Sequence, residues 1–111
     1  GERAKALIEK KKAQNQEQLL TNQVRSDVDK ALAACEKQKH RVDLYRTGVI
    51  TKVNDIENKT QIALQAGESS TLELLDAIRT RRDTLAGFYQ TLFEYQMSLL
   101  DLELATATPL H

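Results

Sequence analysis

Ala66-Gly67-Glu68-Ser69-Ser70-Thr71-Leu72-Glu73-Leu74-Leu75-Asp76-Ala77-Ile78-Arg79-Thr80 is the one clear interruption in a sequence that otherwise carries helical periodicity from end to end. Gly67 is free to take the left-handed backbone conformation that closes a helix. Three residues on, Ser70 and Glu73 have the S-x-x-E spacing of a capping box. In that motif the Ser70 hydroxyl accepts from the backbone N–H of Glu73, and the Glu73 carboxylate accepts from the N–H of Ser70. A stop signal followed so closely by a start signal predicts a tight turn between two helices. The expected fold class is therefore all-α, a long antiparallel helical hairpin of coiled-coil character. Residues 1–66 form the long helix, 67–70 the turn, 71–106 the shorter returning helix and 107–111 a tail, together one structural unit.

Upstream of the turn, from Arg3 to Ala66, there is no proline and one interior glycine, Gly48. Apolar residues recur at intervals of seven: Val28, Cys35, Val42, Val49, Ile56 and Ala63. Val24, Ala31 and Tyr45 supply the second row of a 3-4 coiled-coil alternation. A helix of this length spans about 95 Å at the usual rise of about 1.5 Å per residue. Glu9 to Gln18 is almost wholly polar and offers no seam. Gly48 costs a helix interior about 1 kcal/mol relative to alanine, so it is expected to mark a bend or a close helix–helix contact.

Downstream, Ile78, Leu85, Leu92 and Leu99 form the central row of the returning helix. Leu74, Phe88, Tyr95 and Leu102 widen it on one side, and Ala86, Phe93 and Leu100 on the other. A stripe that wide predicts contact with more than one neighbouring helix. Pro109, beyond the last periodic residue, suits a chain leaving the helix. At roughly 50 Å, the returning helix covers only about the last 35 residues of the long one. The segment before Val28 is then left without an intramolecular partner. Two helices alone bury little surface, so self-association through the returning helix, or further parts of a parent protein, is expected to supply the rest.

Composition narrows the function classes. Sixteen basic and sixteen acidic residues cancel, so no net field draws the chain to nucleic acid or an anionic membrane. A charged fraction of 29% with four glycines, one proline and no tryptophan suits solvated helices with narrow apolar seams. No apolar run approaches the roughly 18 residues of a membrane-spanning helix. The cluster Lys10, Lys11, Lys12 is not followed by an apolar h-region, so this stretch is not read as a signal peptide. The chain starts abruptly in helical sequence, which suggests a segment of something larger.

No catalytic, cofactor-binding or metal-binding residue is assigned. Cys35 sits in the apolar row with no second cysteine in the chain, which favours a small core residue over a redox or metal role. His40 has Glu36 and Asp43 on one helical face, but helical surfaces produce such trios often, and no H-x-x-x-H or E-x-x-H pair supports it. His111 is terminal and carries no argument. Glu68, Glu73 and Asp76 at the turn favour interaction with the helix dipole over acid–base chemistry, because an exposed helix start lacks the burial such chemistry needs. Arg79, Arg81 and Arg82 offer them surface partners, Asp76 with Arg79 among them, each worth about 0.3–0.5 kcal/mol. Tyr45, Phe88, Tyr89, Phe93 and Tyr95 are spaced for packing between helices rather than for base stacking. With no nucleophile–base arrangement, phosphate loop or zinc spacing, the chain is not read as an enzyme.

Three segments together carry a family pattern. R-V-D-L-Y-R-T-G-V-I at 41–50, A-G-E-S-S-T-L-E-L-L-D-A-I-R-T at 66–80 and F-Y-Q-T-L-F-E-Y-Q-M-S-L-L-D-L-E at 88–103 resemble the TolC-like outer-membrane efflux proteins, most closely the heavy-metal or cation efflux branch. The specific part is G-x-x-S-x-x-x-L-L-D-A-x-R; the departures are Thr51 where proline is frequent, Leu64 where an aromatic is common, and Ile78 in place of a frequent glutamine. The resemblance implies the second-half hairpin of a periplasmic α-helical tunnel, part of a bacterial outer-membrane protein that is a homotrimer. It implies the exit duct of a tripartite efflux pump of the resistance–nodulation–division type, with a periplasmic adaptor (membrane fusion) protein and an inner-membrane transporter as partners and no cofactor. The cargo would be metal ions or small toxic compounds. Gly67, Glu68, Ser69, Ser70, Thr71, Leu74, Leu75, Asp76 and Ala77 would form the adaptor-docking tip. The alternative is a generic coiled-coil interaction module, such as an adaptor hairpin or a scaffold.

Overall fold

The computed structural model describes residues 1–107; Pro109, His111 and most of the predicted tail lie outside the described residues. Helix α1 (Glu2–Leu44) runs into one π-helical turn, Tyr45–Val49, and on into α2 (Ile50–Gln65). After the turn, α3 (Thr71–Ala107) folds back along them. The chain is all-α, a hairpin 97 Å long and 17 by 15 Å across. Every residue up to Gln23 is exposed, and the first half-buried position of the long helix is Val24.

The turn closes by backbone bonds that the glycine makes possible. Gly67 stands at φ +75°, in the left-handed region. The N–H of Glu68 then reaches the carbonyl of Ala63 at 2.8 Å and the N–H of Gly67 that of Leu64 at 3.1 Å, the paired bonds of a Schellman motif. At the start of α3, the Glu73 N–H donates to the Ser70 hydroxyl at 3.2 Å, as the capping box predicts. Its other half differs. The Glu73 carboxylate accepts from the Ser69 hydroxyl at 2.7 Å instead of the Ser70 N–H. The turn puts that hydroxyl over the first turn of α3, where a charge-assisted O–H···O⁻ bond is the stronger option.

The π turn changes which face of the lower helix meets α3. Its signature is the Ile50 N–H donating to the carbonyl of Tyr45, five residues back. Such a turn inserts one extra residue into an otherwise α-helical run. Above it the covered row is Val24, Val28, Ala31, Cys35, Gln38, Val42 and Tyr45; below it the row is Ile50, Val53, Glu57, Thr60 and Leu64, with Ser26, Asn54 and Ala63 half-buried beside it. The same 3-4 alternation thus resumes one residue late. The predicted seven-residue row fails below Val42: Val49 is 41% exposed and Ile56 53%, while Ala63 is half-buried beside Leu64.

On α3 the seam is also displaced from the predicted centre. Ala77, Phe88, Thr91 and Ser98 are buried, with Leu74, Arg81, Thr84, Tyr95 and Leu102 half-buried along the same face. The row facing α1 and α2 at intervals of seven is therefore Ala77, Thr84, Thr91, Ser98: small side chains that let two helices approach closely. Ile78, Leu85 and Leu92 lie half-buried at its edge, and Leu99, Phe93 and Leu100 are exposed beyond it. The burial of polar Ser98 is satisfied locally, its hydroxyl donating to the carbonyl of Tyr95 at 2.7 Å.

Candidate docking site

Two places on the hairpin combine defined geometry with exposed surface: the tip, and the aromatic contact at the π turn. At the tip, Gly67, Glu68, Ser70, Thr71, Leu75 and Asp76 are exposed, Ser69 and Leu74 half-buried, and Ala77 buried in the seam. Leu72, 65% exposed, presents a large apolar side chain beside them. Sequence reasoning passed over it because it belongs to no periodic row; its only signal is an apolar residue in the first turn of a helix, where nothing can cover it. Behind the tip lies an open groove of about 320 Å³, lined by Val53, Ile56, Thr60, Ala77 and Thr80, with Glu73 and Asp76 on the α3 side.

Charged groups tie α3 to the long helix on opposite sides of the seam. Arg81 Nε donates to Asn54 Oδ1 at 2.8 Å and lies 3.2 Å from Glu57 Oε2. Arg41 Nη1 meets Glu94 Oε2 at 3.0 Å and Gln38 Oε1 at 3.1 Å. Among the described residues these are the two ion pairs, so the expected intrahelical pair of Asp76 with Arg79 does not form; the half-buried Arg81 reaches across the seam instead. Both pairs are partly solvated, so each contributes at most about 1 kcal/mol, and their main effect is to fix register.

The aromatic side chains divide into two groups. Tyr45 and Phe88 pack with ring centroids 5.8 Å apart at 55°, Arg46 lies 5.8 Å over the Phe88 ring, and Tyr89 adds a tilted contact at 5.5 Å. Phe93 and most of Tyr89 face outward. The close helix–helix approach expected at Gly48 occurs at Gly87. A Cβ there would stand 2.8 Å from the Tyr45 hydroxyl, whereas one at Gly48 would meet nothing within 4 Å. Gly48→Ala is accordingly expected to raise stability by about 1 kcal/mol, the usual helical cost of glycine, measured as an increased urea midpoint.

Among the described residues, no group of three His, Cys, Asp or Glu side chains is placed to hold a metal ion. Cys35 is a free, buried thiol within the seam, and His40, Glu36 and Asp43 are exposed. No helix among the described residues is long and apolar enough to cross a membrane. Comparison of the chain with protein-family models, characterised proteins and solved structures finds no match.

Proposed function

We propose that this hairpin is a periplasmic segment of the outer-membrane exit duct of a tripartite efflux pump, with its tip docking the hairpins of a periplasmic adaptor. The observation that carries the reading is the tip. A turn sealed by the Schellman bonds and the Ser70 cap holds Gly67, Glu68, Thr71, Leu72, Leu75 and Asp76 outward at the extreme end of a long rod. That arrangement serves end-on recognition, not bond chemistry. Ala77, buried behind it, holds the first turn of α3 in place and leaves its exposed neighbours to make contact.

Two further features fit a piece of a larger tube. The first 23 residues have no intramolecular cover, and the outer edge of α3 exposes Phe93, Leu100 and Leu104. Both surfaces call for neighbouring helices, which a homotrimeric parent would provide. Metal ions or small toxic compounds would pass through without a dedicated site in this segment, moved by the inner-membrane transporter to which the adaptor couples the duct.

The test is Gly67→Val in the full-length parent. Forcing an L-residue into the left-handed region costs about 1–2 kcal/mol, and more with a β-branched side chain. The native turn is then depopulated roughly tenfold relative to alternatives. Helix content should stay nearly unchanged by circular dichroism, while adaptor cross-linking and export fall. Export indifferent to changes throughout Gly67–Asp76 would remove the docking assignment. The exposed α3 edge also suits a generic coiled-coil module, and for that reading Phe93→Glu would abolish partner binding while tip variants would not.

A further inference from the structure

We infer that the face of α3 turned away from the long helix is a self-recognition surface, on which a second copy of this chain packs antiparallel about a two-fold axis near Tyr95. The inference is independent of the efflux reading. Ala86, Gln90, Phe93, Met97, Leu100 and Leu104 are all exposed and follow one another at alternating intervals of four and three, the spacing of a coiled-coil seam. The row is about 27 Å long at the usual helical rise. Ala77, Thr84, Thr91 and Ser98, which face α1 and α2, lie on the other side of the same helix. This one helix therefore carries two seams, and the chain itself fills one. On the second, Phe93, Met97, Leu100 and Leu104 stand between 41% and 60% exposed. Two copies sharing it would bury roughly 1,000 Å², the lower bound of a specific interface, which suits association in the micromolar range.

Size and charge set the direction. Antiparallel pairing about Tyr95 puts Phe93 opposite Met97 of the second copy, Leu100 opposite Gln90 and Leu104 opposite Ala86, so small or flexible side chains receive the bulky ones. Parallel pairing sets each residue against itself, Phe93 on Phe93 and Ala86 on Ala86, which crowds one layer and leaves a gap in another. The charges of α3 are divided along its length. Its three arginines, Arg79, Arg81 and Arg82, come early, and the charged residues that follow, Asp83, Glu94, Asp101 and Glu103, are all acidic. Antiparallel packing lays the acidic end of each copy toward Arg82 of the other; parallel packing sets acidic end against acidic end. Arg82 and Glu103 flank the row on the same side, and in an antiparallel pair like flanks meet. The two then stand about 7.5 Å apart along the axis, within reach of an arginine side chain. At the two-fold axis the two Glu94 carboxylates approach each other, but each is already paired with Arg41 of its own chain at 3.0 Å. The interface is isologous and closes on two copies, with the two tips pointing to opposite ends.

Sedimentation equilibrium of the full chain should show a passage from monomer to dimer between about 1 and 100 μM. Phe93→Glu and Leu100→Glu should each raise the dissociation constant at least about tenfold by placing a charge in the contact. Helix content by circular dichroism should not change, because neither side chain belongs to the intrachain seam. Arg82→Glu and Glu103→Arg should each weaken the dimer about threefold at low salt, and the chain carrying both should recover. Direction is read by nitroxide labels on Asp83→Cys in a Cys35→Ala background. Antiparallel copies place the two labels roughly 35 Å apart along the axis, whereas parallel copies bring them within about 25 Å. The short distance overturns the proposal, as does a dimer indifferent to Phe93→Glu and Leu100→Glu. A chain that stays monomeric to about 1 mM overturns it too; that result would leave the stripe to helices of a larger parent and the Gly67→Val test of tip docking untouched.

Discussion

Phe88→Ala is expected to lower the stability of the hairpin by about 3 kcal/mol, read as a fall in urea midpoint at unchanged slope. The magnitude follows from how little core there is. Among the described residues the buried apolar side chains are Cys35, Val42, Val53, Ala77 and Phe88, and Phe88 is the largest of them. It packs on Tyr45, underlies Arg46 and touches Tyr89, so truncation strands three neighbours at once. Phe-to-Ala changes in thick cores cost about 3–5 kcal/mol; a two-helix layer can partly collapse or admit water, which places this one at the low end. Phe93→Ala is the control. Its ring is 56% exposed, and in the dilute chain its loss should stay within about 0.5 kcal/mol. If chains associate through the α3 edge, that small effect becomes concentration-dependent while the Phe88 effect does not.

The contrast between these two phenylalanines shows where sequence reading succeeds and where it stops. The turn was legible because its signals are local: Gly67 supplies a backbone angle that other residues avoid, and Ser70 offers an oxygen to an orphan N–H. Helix existence and the length mismatch followed from periodicity and the absence of proline. The seam of α3 did not, because hydrophobicity reports which side chains gain from burial, whereas close approach is governed by small ones. Thr91, 2% exposed, is the most buried residue of the helix, and no apolar pattern selects it. The leucine row marks the partly exposed edge of the seam, not its centre.

The π turn was illegible for a different reason. Nothing in Tyr45-Arg46-Thr47-Gly48-Val49 prescribes a π conformation, and a heptad count assumes a constant helical period. The inserted residue is recorded only in tertiary packing, in what Tyr45 meets on α3. The groove behind the tip shares this dependence. Glu73 and Asp76 were recognisable as a local acidic cluster, but their companions Val53 and Thr60 are set there by a register that the π turn determines.

Gly87→Leu is the second large effect, expected at about 2–3 kcal/mol of destabilisation through overpacking. Two terms of opposite sign meet at this position. Any side chain relieves the helical cost of glycine, about 1 kcal/mol. Against that, even a Cβ would stand 2.8 Å from the Tyr45 hydroxyl and 3.6 Å from the ring carbon that bears it. The hydroxyl terminates a rigid ring already packed on Phe88, so it cannot yield by a free torsion at its end. Alanine should therefore come out close to neutral, its propensity gain offset by a shift of the ring, while leucine must drive Tyr45 out of the seam. A double-mutant cycle separates the terms. Tyr45→Ala alone loses aromatic packing, but in the Gly87→Leu background it makes room, and the two changes should cost less together than their sum by about 1–2 kcal/mol. Strict additivity would mean that the hydroxyl does not set the approach of the helices at Gly87. A positive coupling places a close approach of the two helices between a residue of the π turn and the one glycine of α3.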